Sequence, residues 1–388
     1  MILKWLKRIG LVILGVIVLG LGYIVLTGDH YWFFMLKHTV FEGRMGPTID
    51  EYVNYENGVV KAPNDVFEWP IAASYGEVGL SEEDEAYHES LESSAFLVIH
   101  KDSIVYEKYW NGYSDSSKTN SWSMAKSIVS HLIGCAIQDG YIKSIDDSIG
   151  TYVEQFIGDD VTIRDLLTMS AGYNFYESYG DPFTYTARTL YGDNLREVHE
   201  MYELTDETGT TFNYKSGNTQ ILGFILKEAT GKSLSEYATE KVWKPIGAKH
   251  DALWSLDRKG GEERAYCCFN TNARDYAKFG KLYKDSCIID GDTLVPLWYY
   301  NEAISLAPLK LKSGEPNDRY GFQWWIHQDS AVPCFYAHGL NGQYIFILPE
   351  HDMIIVRLGQ HEPKERKKGQ PVDKYAYIRM AMDMVGLE

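Results

Sequence analysis

Ser123 and Lys126 stand three residues apart in Trp-Ser-Met-Ala-Lys, and this is the one Ser-x-x-Lys in the chain. A serine hydroxyl is a weak nucleophile that needs a base within hydrogen-bond reach. Three residues apart on a helix, the two side chains face the same way, so an amine can take the hydroxyl proton once burial or nearby positive charge lowers its pKa. Tyr214-Lys215-Ser216 is a second candidate: a phenol beside a cationic lysine can have its pKa pulled down and relay protons. The third is His338-Gly339-Leu340-Asn341-Gly342-Gln343, where glycines let backbone approach a substrate and an edge N–H can meet an oxyanion. Taken singly, each has an ordinary structural explanation: a helix-capping serine with a solvated lysine, one tyrosine among 29, and a glycine-rich turn.

The elements that must carry these residues are legible around them. Ala95–His100 and Ile104–Trp110 read as two strands joined by the turn Lys101-Asp102-Ser103. A helix opens near Ser123, with Ile128, Val129, Leu132, Ile133, Ala136 and Ile137 at helical spacing and Gly140 as a C-cap. Thr162-Ile-Arg-Asp165 has the form of a capping box before a short helix. Ser216–Thr230, ended by Gly231, and Ala273–Tyr283 are further helices. Strand patterns return at Tyr320–Ile326, Phe335–His338, Gln343–Leu348 and Met353–Leu358, followed by a helix over Asp373–Val385. This order predicts an α+β architecture with one antiparallel sheet built from both ends of the chain.

The N-terminus has its own signature. Ile9–Thr27 is nineteen residues without a charge, preceded by Lys4, Lys7 and Arg8 and followed by Asp29; about 20 apolar residues cross a bilayer. The expected organisation is a cytoplasmic N-terminus (1–8), an uncleaved transmembrane signal anchor (9–27), a lead-in segment (28–93) and a catalytic domain (94–388) outside the cytoplasm. Positive charge stays inside, and Val25-Leu26-Thr27-Gly28 is a poor cleavage site.

Composition excludes other classes. A net charge of −17 repels a phosphate backbone, so nucleic acid is not an expected partner; Lys364, Arg366, Lys367 and Lys368 form only a short basic cluster. The five cysteines (135, 267, 268, 287 and 334) contain no C-x-x-C pair and are odd in number, suggesting neither a zinc site nor a disulfide framework. Adjacent Cys267 and Cys268 read as small buried residues, with room for one disulfide outside the cytoplasm.

In the order Ser-x-x-Lys, Tyr-x-Ser, His-Gly, the chain from about residue 90 to 388 resembles the serine β-lactamase and penicillin-binding-protein superfamily. The likeness is greatest to its class C-related branch, with 6-aminohexanoate-dimer hydrolases and family VIII-type esterases. Thr162–Gly172, Asn272–Gly280 and Tyr320–Trp325 carry further likeness. The resemblance implies an antiparallel sheet flanked by helices plus a mostly helical lobe, with the site between them. It implies cleavage of an ester or amide through an acyl-enzyme on Ser123, with no metal and no cofactor. Lys126 and Tyr214 would share base and acid duties, their order left open, and the N–H groups of Ser123 and Leu340 would form the oxyanion hole. Tyr179, in Phe-Tyr-Glu-Ser-Tyr, would contact the scissile amide or leaving amine, while Ser216, His338 and Gly339 would line the substrate site, with Ser216 bonding a lysine. The sequence departs from the usual Lys-Thr-Gly at Ala337-His338-Gly339 and from Tyr-x-Asn at Ser216, which points to esters or unusual amides rather than β-lactams. A cell-wall D-alanyl esterase or peptidase, and a non-catalytic envelope-binding protein on the same scaffold, are the alternatives.

Overall fold

The computed structural model describes residues 1–388 other than Met1, Met45, Asp329, Ser330, Lys368 and Glu388, so Lys368 of the basic cluster lies outside the described residues. The central element is a six-stranded antiparallel sheet. Its spatial order is Ser103–Tyr109, Ser93–His100, Met353–Gly359, Gln343–Leu348, Cys334–Gly339 and Trp325–His327. Both ends of the chain therefore meet in one sheet, as the sequence predicts: Ile354 lies opposite Ile99, and Val356 opposite Leu97.

Strand alternation divides the core in two, because successive side chains point to opposite faces. Leu97, Ile99, Ile345, Ile347, Ile354 and Val356 enter one apolar cluster. Phe96, Val98, Tyr344, Phe346, Met353 and Ile355 enter another. The first face packs against Ala273–Lys284, whose Gly280 is needed there: a Cβ would stand 2.8 Å from Ile354 and 3.0 Å from Ile345. Behind that helix lie Ala125–Gln138 and Ser216–Thr230, packed on each other. The second face is covered by Asp373–Met384. With both faces covered, the inner strands are apolar throughout, which is why they read as continuous runs.

Two features differ from the sequence reading. Tyr320–Ile326 is not one strand; only Trp325–His327 pairs with the sheet. Gln323, at φ 62°, turns the chain and sends its side chain inward, where Nε2 donates to the carbonyls of Leu166 (3.0 Å) and Leu167 (2.9 Å). Within residues 28–93, Asn57–Val60 is a strand that pairs with Ala252–Ser255 in a second, four-stranded sheet. The helix Ile2–Thr27 is apolar, and from Lys4 to Thr27 it is almost wholly exposed.

Arg357 joins the halves of the central sheet to the turn beside the candidate site. It is fully buried and donates to the carbonyls of Asn341 (2.9 Å), Gly342 (2.9 Å), His361 (3.0 Å) and Leu91 (3.0 Å), and to Ser93 Oγ. Buried carbonyls left without a donor keep their full desolvation penalty. Arg357→Met should therefore cost about 2–4 kcal/mol, seen as a lower urea midpoint with an unchanged denaturant slope.

Candidate active site

Ser123 lies in a single 3₁₀ turn, Trp122–Met124, at the mouth of the helix Ala125–Gln138. Trp122 holds a left-handed φ of 45°, a region that costs a non-glycine residue about 1–3 kcal/mol. Its neighbours over-determine it. Trp122 N donates to Asn120 Oδ1 (2.8 Å) and Ser121 N to the carbonyl of Phe269 (2.8 Å), while the indole is fully buried. The turn presents Ser123 at the protein surface, partly accessible, and buries Lys126 one turn further on.

Lys126 Nζ donates to Ser123 Oγ at 2.7 Å and to the carbonyl of Tyr266 at 2.9 Å. The amine is buried, and the loss of water lowers its pKa to about 7; the charge of Glu177 opposes that fall. Tyr214 stands over the same pair. Lys126 Nζ is 5.1 Å from the centre of its ring, and its phenol engages Ser123. The ring is wedged between Trp325, stacked at 5.5 Å, and Tyr320, edge-on at 5.9 Å. Burial first, and Glu177 second, raise the phenol pKa, contrary to the downward pull expected of a neighbouring lysine. The reason is direction: Lys215, next in sequence, turns away to the carbonyl of Tyr173 and towards Asp206.

Ser216 is also placed differently from the expectation. It bonds no lysine; its Oγ donates to Glu177 Oε1 (2.7 Å) and its backbone N–H to Oε2 (2.8 Å). Glu177 is thus the residue the motif reading missed. It sits inside Phe175-Tyr-Glu-Ser-Tyr179, and the signal was there: an acidic residue amid aromatics two positions before Tyr179. Tyr179 packs edge-on against Trp122 at 6.1 Å, so it does lie beside the nucleophile turn.

The strand Cys334–Gly339 closes the other side. At Gly339 an added Cβ would stand 2.1 Å from the Ser121 carbonyl oxygen, 3.0 Å from Trp122 Cβ and 3.1 Å from Ser123 N. Only glycine allows this approach, which lays the end of the strand against the turn that carries Ser123. His338 is fixed outside it, stacked on Tyr344 at 4.5 Å with Nε2 3.1 Å from Glu362. Gln323 bolts the layers behind: its carbonyl accepts from Ser127 (2.7 Å) on the serine-bearing helix, and its Oε1 from Thr219 (2.7 Å) on Ser216–Thr230.

Cys267 and Cys268 are not merely small buried residues. They are bonded to each other as a disulfide, and both are buried directly after Tyr266, which supplies the second acceptor for Lys126. Cys135, Cys287 and Cys334 are free. No His, Cys, Asp and Glu cluster able to hold a metal occurs among the described residues.

An accessible hydroxyl, a buried amine bonded to it and a protonated phenol above both can carry out acyl transfer. Comparison with known proteins gives the family. The Beta-lactamase family profile matches residues 82–376. The 6-aminohexanoate-dimer hydrolase of Paenarthrobacter ureafaciens is 24% identical over 285 residues, covering 69% of this chain and 72% of that protein. A provisionally named 6-aminohexanoate-dimer hydrolase from Bacillus anthracis superposes with a TM-score of 0.72 at 23% identity, over 86% of this chain and 92% of that one. A family VIII carboxylesterase superposes at 0.61 with 16% identity, over 82% and 99%. The fold is that of the β-lactamases and transpeptidases. The chain belongs to the β-lactamase family and is one of its serine hydrolases, whose relatives cleave amides or esters.

Proposed function

We propose that this protein cleaves an ester or amide through an acyl-enzyme on Ser123, with Lys126 as the base and Tyr214 as the proton donor. The observation that carries the reading is the 2.7 Å bond between Lys126 Nζ and Ser123 Oγ, made by an amine whose pKa burial lowers to about 7. An exposed lysine is neutral in only about one molecule in several thousand at pH 7; at a pKa of about 7 roughly half are. The phenol of Tyr214, pushed upward, stays protonated in the same range. Of the two groups, the lysine is therefore the acceptor and the tyrosine the donor.

Ser123 Oγ attacks the substrate carbonyl carbon and its proton passes to Lys126. The carbonyl oxygen, now anionic, is met by the N–H groups of Ser123 and Leu340; the close approach of Gly339 to Ser123 N supports that pairing. Collapse expels the leaving alcohol or amine, which takes a proton from Tyr214; Lys126 returns one to the phenolate. Water then attacks the acyl-enzyme and gives a proton to the Lys126 amine; collapse expels Ser123 Oγ, which takes that proton back from Lys126, and the acid leaves. Tyr179 and Glu177 line the leaving-group side, and Glu177 holds Ser216 at the base of the helix carrying it.

The relatives named for 6-aminohexanoate dimers and carboxylic esters support short amides and esters as the substrate class. Ala337-His338-Gly339 stands where related enzymes carry Lys-Thr-Gly, with Ala337 in place of the lysine that binds a substrate carboxylate, which argues against β-lactams.

The helix Ile2–Thr27 is read as a membrane anchor with residues 1–8 inside the cell. A disulfide in the attached domain fits an oxidising compartment. Asp29 pairs with Arg188 at 2.5 Å and Tyr31 OH donates to the carbonyl of Pro182 at 2.8 Å. These bonds tie the loop bearing Tyr179 to the segment leaving the helix, so the cleft opens near the bilayer surface.

Three outcomes test this reading. The full chain should hydrolyse p-nitrophenyl butyrate and take a fluorophosphonate label; Ser123→Ala should lose both, and Lys126→Ala should lose about 10²–10⁴-fold in kcat. A folded protein that neither reacts nor labels would instead be a binding protein on this scaffold. In kcat/KM against pH, activity should rise with pH through about 7, since the neutral amine is the active form. Glu177→Gln removes a charge that stabilises the ammonium, so the rise should move to lower pH; a shift upward or none removes Glu177 from the field of Lys126. Finally, the full chain should sediment with membranes while residues 30–388 remain soluble.

A further inference from the structure

The Cys267–Cys268 disulfide closes a small ring over a single peptide bond, and its position in the fold singles it out. The residue before it, Tyr266, gives its carbonyl to Lys126 Nζ at 2.9 Å. The residue after it, Phe269, gives its carbonyl to Ser121 N at 2.8 Å. The ring therefore sits between two acceptors that grip either side of the turn carrying Ser123. Its own carbonyls are held too: Trp254 Nε1 donates to Cys267 O at 3.0 Å, and Ser255 N and Asn270 Nδ2 to Cys268 O at 3.0 and 2.7 Å. Both cysteines pack in one apolar cluster with Trp122 and Tyr266, against which Tyr179 and Leu340 lie. Cys268 has a left-handed φ of 65°, a conformation that a non-glycine residue keeps only under constraint.

We propose that the Cys267–Cys268 disulfide is a positioning element for Lys126, locking the segment whose Tyr266 carbonyl holds the amine, and that opening it weakens the base. This rests on the role proposed for Lys126. A ring closed over the peptide bond restricts Cys267 ψ and Cys268 φ, and so the direction in which the chain runs to Tyr266 on one side and Phe269 on the other. Without it, Cys268 is free to leave the left-handed region, which swings the Tyr266 carbonyl away from Nζ. Opening requires an external dithiol: its two S–H groups deliver two electrons and two protons, the Cys267–Cys268 bond breaks, two thiols form, and the dithiol leaves as its own disulfide. Glu177 and the phenols of Tyr214 and Tyr266 face Lys126 from the neighbouring segments.

The test uses the full chain in detergent micelles, oxidised and after dithiothreitol. Titration under denaturing conditions distinguishes the states: three free thiols become five. Two properties are then followed against pH: kcat for p-nitrophenyl butyrate, and the 13Cε shift of Lys126, identified by its loss in Lys126→Ala. Reduction should lower kcat about tenfold while KM changes less than about twofold. The Lys126 midpoint should fall by about half a unit or more, because the ammonium loses its carbonyl acceptor. Reoxidation should restore both. Cys267→Ala/Cys268→Ala lacks the ring and keeps a side chain that disfavours the left-handed φ; it should match the reduced protein and ignore dithiothreitol, and it serves where the reductant fails to reach the buried sulfurs. Unchanged kcat and midpoint with five thiols counted, or in this variant, would overturn the proposal. If the oxidised protein shows no hydrolysis at all, the hydrolase reading fails, while the lysine midpoint still decides whether the ring positions the amine.

Discussion

The structure turns on keeping one amine out of water. Lys126 has Ser123 and one backbone carbonyl as its bonded partners, and the nearest opposite charge, Glu177, only partly offsets the cost of burial. A buried ammonium without a close carboxylate is expensive, and the expense is relieved by giving up the proton. The same physics that makes the site unfavourable for a charge makes it suitable for a base. Had Glu177 bonded Lys126 directly, the amine would hold its proton at neutral pH; Ser216 keeps that carboxylate occupied instead, with two hydrogen bonds.

Much of the scaffold serves to hold that arrangement against strain. The left-handed Trp122 lifts Ser123 out of the helix that buries Lys126, and it persists because Asn120, Ser121 and Phe269 fix the backbone on both sides. Gly339 lets a strand of the central sheet touch this turn, and Arg357 braces the chain immediately beyond, at Asn341 and Gly342. Gln323 links three helices behind the site through one side chain and one carbonyl. Arg357 and Gln323 satisfy backbone carbonyls that would otherwise be buried without a partner. Rigidity at the nucleophile and polar satisfaction of the core are thus met by the same contacts.

The sheet, the hairpin and the long helices were legible because they follow local rules: the short apolar run and turn at Ala95–Ser103, helical spacing after Ala125, the Thr162–Asp165 capping box and Gly231 at a helix end. The failures have a common origin. Tyr320–Ile326 alternates like a strand, yet Gln323 finds acceptors in a helix more than 150 residues earlier. Lys215 sits beside Tyr214 in sequence, but side chains of adjacent residues diverge, and the two point to different partners. Adjacent cysteines read as small apolar residues because nothing local distinguishes a thiol from a disulfide.

By itself the sequence determined the residue types: a serine and lysine one helical turn apart, a tyrosine ahead of the next long helix, a glycine after His338, and an apolar N-terminal run. These depend on spacing along the chain, and spacing survives without coordinates. Only the tertiary structure decided how those residues work together. Burial of Lys126, the upward shift of Tyr214, the pairing of Glu177 with Ser216, and the hold of Tyr266 beside the Cys267–Cys268 ring all come from segments distant in sequence. The pKa of a group reflects the water and charge around it, and both are fixed only when the chain has folded.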